Sequence, residues 1–203
     1  MPIYYKNSPV TLPLRRIYHG SILKYKSNTY TEETFTTPRY PRSANMSEWI
    51  TEITGLQYRA TNAYGLWRIW ATSKASSANV LKAFDTYAGI SYGYWSYLSS
   101  DTERMIGINC PTGVAILPTR VYLTHSSVRE DGTVLEGLNS IGEWVILHTL
   151  ASSTSEEITE TINLTVSDFY SAFRINVKDG TCKLGQFRIS HGTIRMEGKS
   201  LNL

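Results

Sequence analysis

Cysteine is nearly absent from this chain, with two residues in 203, Cys110 and Cys182. They lie far apart and form no Cys-x-x-Cys pair, the spacing that is typical of redox and metal-binding motifs. Two unpaired thiols in a protein folded in a reducing compartment are one interpretation, and a single disulfide is the other.

Long apolar runs are absent as well. No stretch approaches the ~20 residues that span a bilayer, and the first residues lack the apolar centre of a secretory signal. These absences predict a protein that is made and folded in a cytoplasm and that is not inserted into a membrane.

The chain also lacks a concentrated basic stripe. Its 20 Lys and Arg residues against 17 Asp and Glu give a net charge of +3, and the cations are scattered along the sequence. Nucleic-acid binding normally needs clustered cations that displace counterions from the phosphates. The sequence therefore predicts no nucleic-acid partner.

Catalytic motifs are missing too. There is no Gly-x-Ser-x-Gly turn, and the four histidines show no metal-ligand spacing. His148 falls in an apolar strand pattern, where a packed and hydrogen-bonded ring is expected. Glu160 falls beside a polar loop, where a solvated edge is expected. We predict no enzymatic activity.

Tyrosine, by contrast, is abundant, with 14 residues, and Ser and Thr are plentiful. Aromatic and β-branched side chains suit a pleated, half-buried surface. Short strand patterns recur from Met46 onward, for example Leu66–Ala71, Met105–Cys110 and Arg120–Thr124. The pattern predicts an all-β sandwich or jelly roll. The strongest apolar run, Trp144–Leu150, is predicted to be buried on both faces.

Residues 1–43 have a different character. Two strand patterns, around Leu14–Tyr18 and Ile22–Tyr25, flank a Gly-containing turn and predict a β-hairpin. Thr29–Arg42 reads as an extended linker. We therefore predict an N-terminal arm over 1–43, a sandwich over 44–198 and a tail over 199–203. Because an isolated hairpin is marginal in water, we also expect association, including a homo-oligomer.

One stretch, Ser76–Trp95, interrupts the strand pattern with a short helical turn followed by a loop rich in Gly and Tyr. We interpret it as the rim of the sandwich. Phe84 and Trp95 are predicted to be core residues.

The order of landmarks resembles the discoidin-like (coagulation factor type C, galactose-binding-like) β-sandwich over about 46–198. The landmarks are Ala83-Phe84-Asp85, the segment GLNSIGEWVIL from Gly137, and the segment YSAFRINV from Tyr170. The corresponding family pieces are an Ala-x-Asp-Gly turn, a strand entry containing Trp, and a Tyr-x-x-x-Arg strand. Thr86 stands where the family usually has Gly. The resemblance implies a discoidin-like jelly roll.

The resemblance also implies a ligand site in the loops at one end of the sandwich. Aromatic rings provide large contact area for the apolar faces of sugars. The predicted ligand-binding residues are Tyr87, Tyr92 and Tyr94, with Arg59 and Asn62 from an earlier loop. The alternative is that these tyrosines cover the sandwich end or form a subunit contact.

A structural calcium ion is a further implication of the resemblance. Family members hold it with the Asp of the turn, backbone carbonyls and a late Glu, in the oxygen-rich shell that calcium prefers. Asp85 occupies the first position, whereas Gly185-Gln186-Phe187 lacks the second carboxylate. The alternative is that Asp85 caps its own turn. No other cofactor is expected.

The hairpin around Ile17–Tyr25 is similar to short elements of tailed-bacteriophage virion proteins. Together with the sandwich, it implies a non-enzymatic virion component of a tail or fibre, made in the host cytoplasm. Residues 1–43 would contact other virion proteins, and the sandwich would adhere to host-surface glycan. A purely structural virion protein and a cellular carbohydrate-binding module are the open alternatives.

Overall fold

The computed structural model describes residues 15–19, 22–26, 30–35, 50–54, 56–62, 64–76, 78–84, 90, 93–97, 100–128, 132–154 and 156–197. Within these ranges the chain is all-β apart from one 3₁₀ helix, and no helix there is long and apolar enough to cross a membrane. The elements are β1 (Arg15–His19), β2 (Ile22–Lys26), β3 (Tyr30–Phe35), β4 (Ile50–Thr54), β5 (Gln57–Asn62), β6 (Gly65–Ala71), the 3₁₀ helix (Val80–Phe84), β7 (Met105–Asn109), β8 (Val114–Ser126), β9 (Thr133–Leu138), β10 (Trp144–Thr149), β11 (Ile158–Asn163), β12 (Ala172–Val177) and β13 (Lys183–Glu197).

Two antiparallel sheets form a β-sandwich. The larger sheet has the strand order β10-β9-β12-β7-β6-β5-β4, and the smaller has the order β11-β8-β13-β3. β1 and β2 pair with each other as a separate two-stranded sheet. The predicted all-β sandwich and the predicted N-terminal hairpin are therefore confirmed.

The core lies between the two sheets because alternate residues of each strand are apolar. In β6, Trp67 and Ile69 are buried whereas Leu66 and Arg68 are exposed, as a period of two residues requires. Core residues come from both sheets, including Phe173 of β12 and Phe187 of β13. Phe84 of the 3₁₀ helix contacts Phe187, with ring centroids 5.8 Å apart, so the helix closes part of the core.

The segment expected to be a linker is partly a strand. Tyr30–Phe35 pairs with Gly192–Glu197 of β13 along its whole length, so these residues belong to the smaller sheet. The composition of this segment had suggested a linker. Its Thr and Tyr residues instead suit an edge strand of the sheet. The boundary near Ser43 lies outside the described residues.

The prediction that Trp144–Leu150 is buried on both faces is wrong. Among the described strands, β10 pairs with β9 alone and forms one edge of the larger sheet, and Val145 and Ile146 are 37% and 50% exposed. An apolar run alone cannot distinguish a central strand from an uncovered edge strand.

Two predicted strand boundaries differ from the structure. The strand predicted at Arg120–Thr124 is longer, since β8 begins at Val114 and ends at Ser126, and it remains separate from β7. The two closing strands expected at Gln186–Ser190 and Thr193–Met196 form one long strand, Lys183–Glu197. The register between β8 and β13 shifts near Gly185 and Ser190. Such irregularities let long strands bend while they stay paired.

Candidate functional site

The structure describes three of the six residues predicted to bind a ligand or metal. Tyr87, Tyr92 and Asp85 lie outside the described residues, so the tyrosine loop and the calcium site remain predictions. Among the residues that are described, no group of three or more His, Cys, Asp or Glu could hold a metal ion.

Arg59, Asn62 and Tyr94 do not come together. Arg59 and Asn62 both lie in β5 and not in a loop, and Asn62 pairs with Gly65 at one end of that strand. Tyr94 precedes Trp95, whose indole donates a hydrogen bond to the Ser73 carbonyl just beyond β6. Since β6 and β5 are antiparallel, Tyr94 lies toward the Gln57 end of β5, about 17 Å along the strand from Asn62.

A cleft of about 520 Å³ opens at the end of the sandwich opposite Tyr94. It lies where β3 begins and β13 ends. The β7–β8 turn, the β9–β10 turn and the segment before β12 complete its lining. Its polar and aromatic lining combines one cation, one carboxylate, two aromatic rings, an amide and two hydroxyls: Arg195, Glu197, Tyr30, Phe169, Asn139, Ser140 and Ser171.

Arg195 is the central side chain of this cleft, which we call the end cleft. Its guanidinium carbon lies 3.6 Å from the Phe169 ring centroid and 5.0 Å from that of Tyr30. Its Nε and Nη2 atoms each donate to Glu32 Oε1 at 2.8 Å, across the β3–β13 pair. The two ring contacts and the paired contacts with Glu32 together restrain the guanidinium.

Asn139 forms the opposite wall of the end cleft. Its side-chain Oδ1 accepts hydrogen bonds from the Ile141 and Glu143 amides at 3.1 and 2.9 Å, which closes the β9–β10 turn. Gly142 adopts a φ of 86°, a conformation that favours glycine. No described residue accepts a hydrogen bond from the Asn139 amide nitrogen, so this donor is available to a ligand.

Phe169 is held in place by the residue that follows it. Tyr170 is buried and exchanges two backbone hydrogen bonds with Ile116, at 2.8 and 2.9 Å. Burial, followed by the nearby Asp168 carboxylate, raises the pKa of the Tyr170 hydroxyl. The backbone pairing of Tyr170 with Ile116 therefore anchors the segment that carries Phe169 to the sheet.

Sequence reasoning missed the end cleft because its parts are far apart in the chain. Tyr30 was placed in a linker, and Arg195 lies 163 residues from its partner Glu32. The one available signal was the alternation in the last strand pattern, which places Thr193 and Arg195 on one face of β13.

A polar cluster at the side of the sandwich was also missed. Glu160 of β11 accepts hydrogen bonds from His125 Nε2 at 2.5 Å and from His148 Nε2 at 3.1 Å. It also accepts one from the Ala151 amide at 3.1 Å. Because β11 and β10 are the edge strands of the two sheets, this cluster joins the sheets across the core.

The expected solvated edge at Glu160 is therefore wrong, because the side chain is only 15% exposed. Burial alone would raise the pKa of Glu160, but the hydrogen bonds from His125, His148 and Ala151 outweigh it and hold the pKa below its usual range. The hydrogen-bonded environment expected for His148 is confirmed.

The thiols are buried or half-buried and lie at opposite ends of the sandwich. Cys110 follows β7 beside the β5–β6 turn, and Cys182 precedes β13. Both are free, and burial raises the pKa of Cys182 to about 12. Burial also raises the pKa of Cys110. Neither thiol has the thiolate character that a nucleophile needs.

A serine and a histidine do meet at His191, whose Nδ1 lies 3.2 Å from Ser190 Oγ. The Ser190 hydroxyl donates to the Arg120 carbonyl at 3.2 Å, and no described carboxylate orients the His191 ring. Nucleophilic catalysis needs a base held by a third group. The absence of enzymatic activity stays a prediction.

No protein-family model matches the sequence, and no curated protein matches it. Solved structures do resemble it. The family 32 carbohydrate-binding module of Clostridium perfringens NanJ, in complex with galactose, has a TM-score of 0.46 at 12% identity over 63% of this chain and 93% of its own. The family 62 module of Clostridium thermocellum Xyl5A has a TM-score of 0.48 at 14% identity over 64% and 95%.

A further family 32 module from Clostridium perfringens, in complex with GlcNAc-α-1,4-galactose, has a TM-score of 0.43 at 11% identity over 73% of this chain and 96% of its own. Identities and scores this low do not place the chain in either family. Its β-sandwich is established by its own strand pairing.

Proposed function

We propose that this chain is a non-enzymatic glycan-binding β-sandwich and that the end cleft is its sugar site. The observation that carries the proposal is Arg195 in contact with the Phe169 and Tyr30 rings, in the same cleft as the available Asn139 amide. Ligand sites combine aromatic surface with a few oriented polar groups. Here the aromatic rings provide surface for the apolar C–H face of a sugar, while the guanidinium and amide donate to its hydroxyls.

Variants of the end cleft test this proposal. Phe169→Ala and Arg195→Ala should each weaken glycan binding about tenfold, the effect of removing a central contact residue. Arg120→Ala is the matched control, because Arg120 is exposed and hydrogen-bonds Asn163 away from the cleft. Titration calorimetry with galactose and GlcNAc-α-1,4-galactose, the sugars in two of the similar structures, provides the measurement.

Three results bear on this test. Loss of binding in both cleft variants, with unchanged melting temperatures, supports the site. Equal binding by the cleft variants and the control would contradict it. Absence of binding by the folded wild-type chain to an array of glycans would contradict the function itself.

We further propose that the chain is a virion component of a tailed phage, made in the host cytoplasm and attached to other virion proteins, or to copies of itself, through residues 1–43. The hairpin supports this proposal, since β1 and β2 pair only with each other among the described residues and an isolated hairpin is marginal in water. Repeated copies on a particle would multiply weak binding into adhesion.

Truncation tests the attachment role. Because β3 belongs to the smaller sheet, the deletion should end at residue 29 and not at residue 43. We expect the shortened chain to keep its melting temperature and to lose co-sedimentation with purified particles. Particles that contain no copy of the full chain would contradict the assignment, and a cellular carbohydrate-binding module would then be favoured.

A purely structural virion protein is favoured by one observation. Ile141, Val145 and Ile146 are exposed along the turn before β10 and along β10 itself, where an uncovered strand edge can accept a neighbouring chain. Ile146→Lys separates the two functions. It should impair assembly if this edge is an interface and should leave glycan binding in the end cleft unchanged.

A further inference from the structure

A second concentration of exposed polar side chains lies on the outer face of the larger sheet. Strand register places Arg59 of β5 directly opposite Arg68 of β6, and Arg68 directly opposite Asn109 of β7. Both arginines are exposed on the face turned away from the core, since their neighbours Tyr58 and Trp67 are buried. We call this set the arginine face.

Like charges in direct cross-strand opposition repel each other, because directly opposite Cβ atoms lie about 4.5–5.5 Å apart. Sheets usually place an acidic residue at such a position. In the part of the chain that the structure describes, no ion pair or hydrogen bond joins Arg59 or Arg68 to another side chain. Strand pairing therefore brings together two cations to which no described residue supplies a counter-charge.

Open space lies on both sides of Arg68. One cleft of about 440 Å³ runs past Tyr64, Leu66 and Pro111, and another of about 340 Å³ runs past Gln57, Tyr58 and Trp70. Arg68 and Asn109 line both clefts. The two clefts thus lie in sequence along β6 with Arg68 between them, and Arg59 is opposite Arg68 on the next strand.

Trp70 gives the groove a fixed aromatic floor. Its indole lies over Gly107, where an added Cβ would stand 2.7 Å from Trp70 Cζ2, so the close approach requires glycine. The indole Nε1 donates to Asn109 Oδ1 at 2.7 Å. This hydrogen bond fixes the orientation of the Trp70 ring next to Arg68. It does not involve the guanidinium group of Arg59 or of Arg68.

We propose that the arginine face binds an acidic saccharide chain, with a carboxylate or sulfate of the sugar held by Arg59 and Arg68 and a neighbouring ring on Trp70. Guanidinium forks match planar oxyanions through paired hydrogen bonds. Two arginines among scattered charges are too few for a nucleic-acid groove, which needs many phosphate contacts. This site is separate from the end cleft and does not depend on it.

The test uses the full chain and the double variant Arg59→Gln/Arg68→Gln. The probes are hexagalacturonate for the carboxylate, a sulfated dextran oligosaccharide for the sulfate, and a neutral galactan oligosaccharide of equal length. We expect the wild-type chain to bind an acidic probe, and the double variant to bind it at least tenfold more weakly. Binding should also weaken with added salt, as exposed charge pairs require.

Two further variants give the controls. Arg120→Gln removes an exposed arginine elsewhere and should change nothing, and Arg59→Lys/Arg68→Lys should bind with intermediate affinity because it keeps charge but loses the planar fork. Arg195→Ala should leave binding of the acidic probes unchanged. The experiment therefore distinguishes failure of the end-cleft proposal from failure of the arginine-face proposal.

Preference for hexagalacturonate or for the sulfated probe identifies the oxyanion and supports the proposal. Equal binding of the neutral probe, or no effect of the double variant, would overturn it, as would tighter arginine-dependent binding of a DNA oligonucleotide.

Discussion

Replacing Glu160 with glutamine is expected to lower the free energy of unfolding by about 2–3 kcal/mol at neutral pH, because it removes charged hydrogen bonds from a largely buried site. His125 and His148 each donate to one carboxylate oxygen, and the Ala151 amide donates as well. A glutamine offers a single acceptor oxygen, and its amide group would face a ring N–H. Chemical denaturation of the two proteins measures the difference.

The same cluster predicts a dependence on pH. The folded-state pKa of Glu160 is lowered relative to its ordinary value of 4.5. Its contribution is therefore fully present above pH 4.5 and is lost as the pH falls through the folded-state pKa. The stability difference between wild type and Glu160→Gln should narrow steadily on acidification below pH 4.5.

Glu156→Gln is the matched control, because Glu156 is an exposed carboxylate four residues away. It should change the free energy of unfolding by less than about 0.5 kcal/mol. Two results would contradict this role of the cluster in joining the sheets. One is an equally small change in the free energy of unfolding for Glu160→Gln. The other is a stability difference between wild type and Glu160→Gln that grows as the pH falls.

Replacing Trp95 with alanine is expected to cost about 3–5 kcal/mol, the range for removing a large buried aromatic side chain. The Trp95 side chain is fully buried, and its indole donates to the Ser73 carbonyl at 2.9 Å. Its backbone exchanges two hydrogen bonds with Leu184, each 2.9 Å long. A small domain has only about 5–15 kcal/mol of stability in total, so this loss is severe.

Trp95→Phe keeps the result interpretable if the alanine variant does not fold. It retains most of the ring volume and loses the indole N–H, for an expected cost of about 1–3 kcal/mol. Tyr94→Ala is the adjacent control, because Tyr94 is only half-buried. Its ring centroid lies 5.2 Å from Lys183 Nζ, a cation–π contact that contributes little to stability at a partly exposed position. A larger loss of stability from Tyr94→Ala than from Trp95→Phe would contradict the assignment of Trp95 to the core.

The sandwich and much of its core could be predicted because they depend on local patterns. Alternation in Leu66–Ala71 puts Trp67 and Trp70 on opposite faces and predicts that one of them is core, and the structure buries Trp67. The interruption at Ser76–Trp95 correctly identifies Phe84 and Trp95 as buried residues at the rim. Each of these inferences requires only the side-chain period of a strand or the size of an aromatic ring.

The sites could not be predicted because they depend on which strands become neighbours. Arg59 was chosen as a loop residue, yet it lies in a strand, directly opposite Arg68 of the adjoining strand. Glu160 was read as a solvated edge because the sequence does not show that His125 and His148 converge on it from two different sheets. Strand order decides these contacts, and strand order is not encoded in any single segment.

The measurement that tests the central claim most directly is a map of where a glycan contacts the sandwich. Amide chemical shifts of the isotope-labelled chain should be recorded during titration with a neutral glycan that binds. The end cleft predicts the largest changes at the amides of Asn139, Phe169 and Ser171. Largest changes at Gly93–Ser96, with those three amides unmoved, would place the sugar at the opposite end of the sandwich and contradict the account.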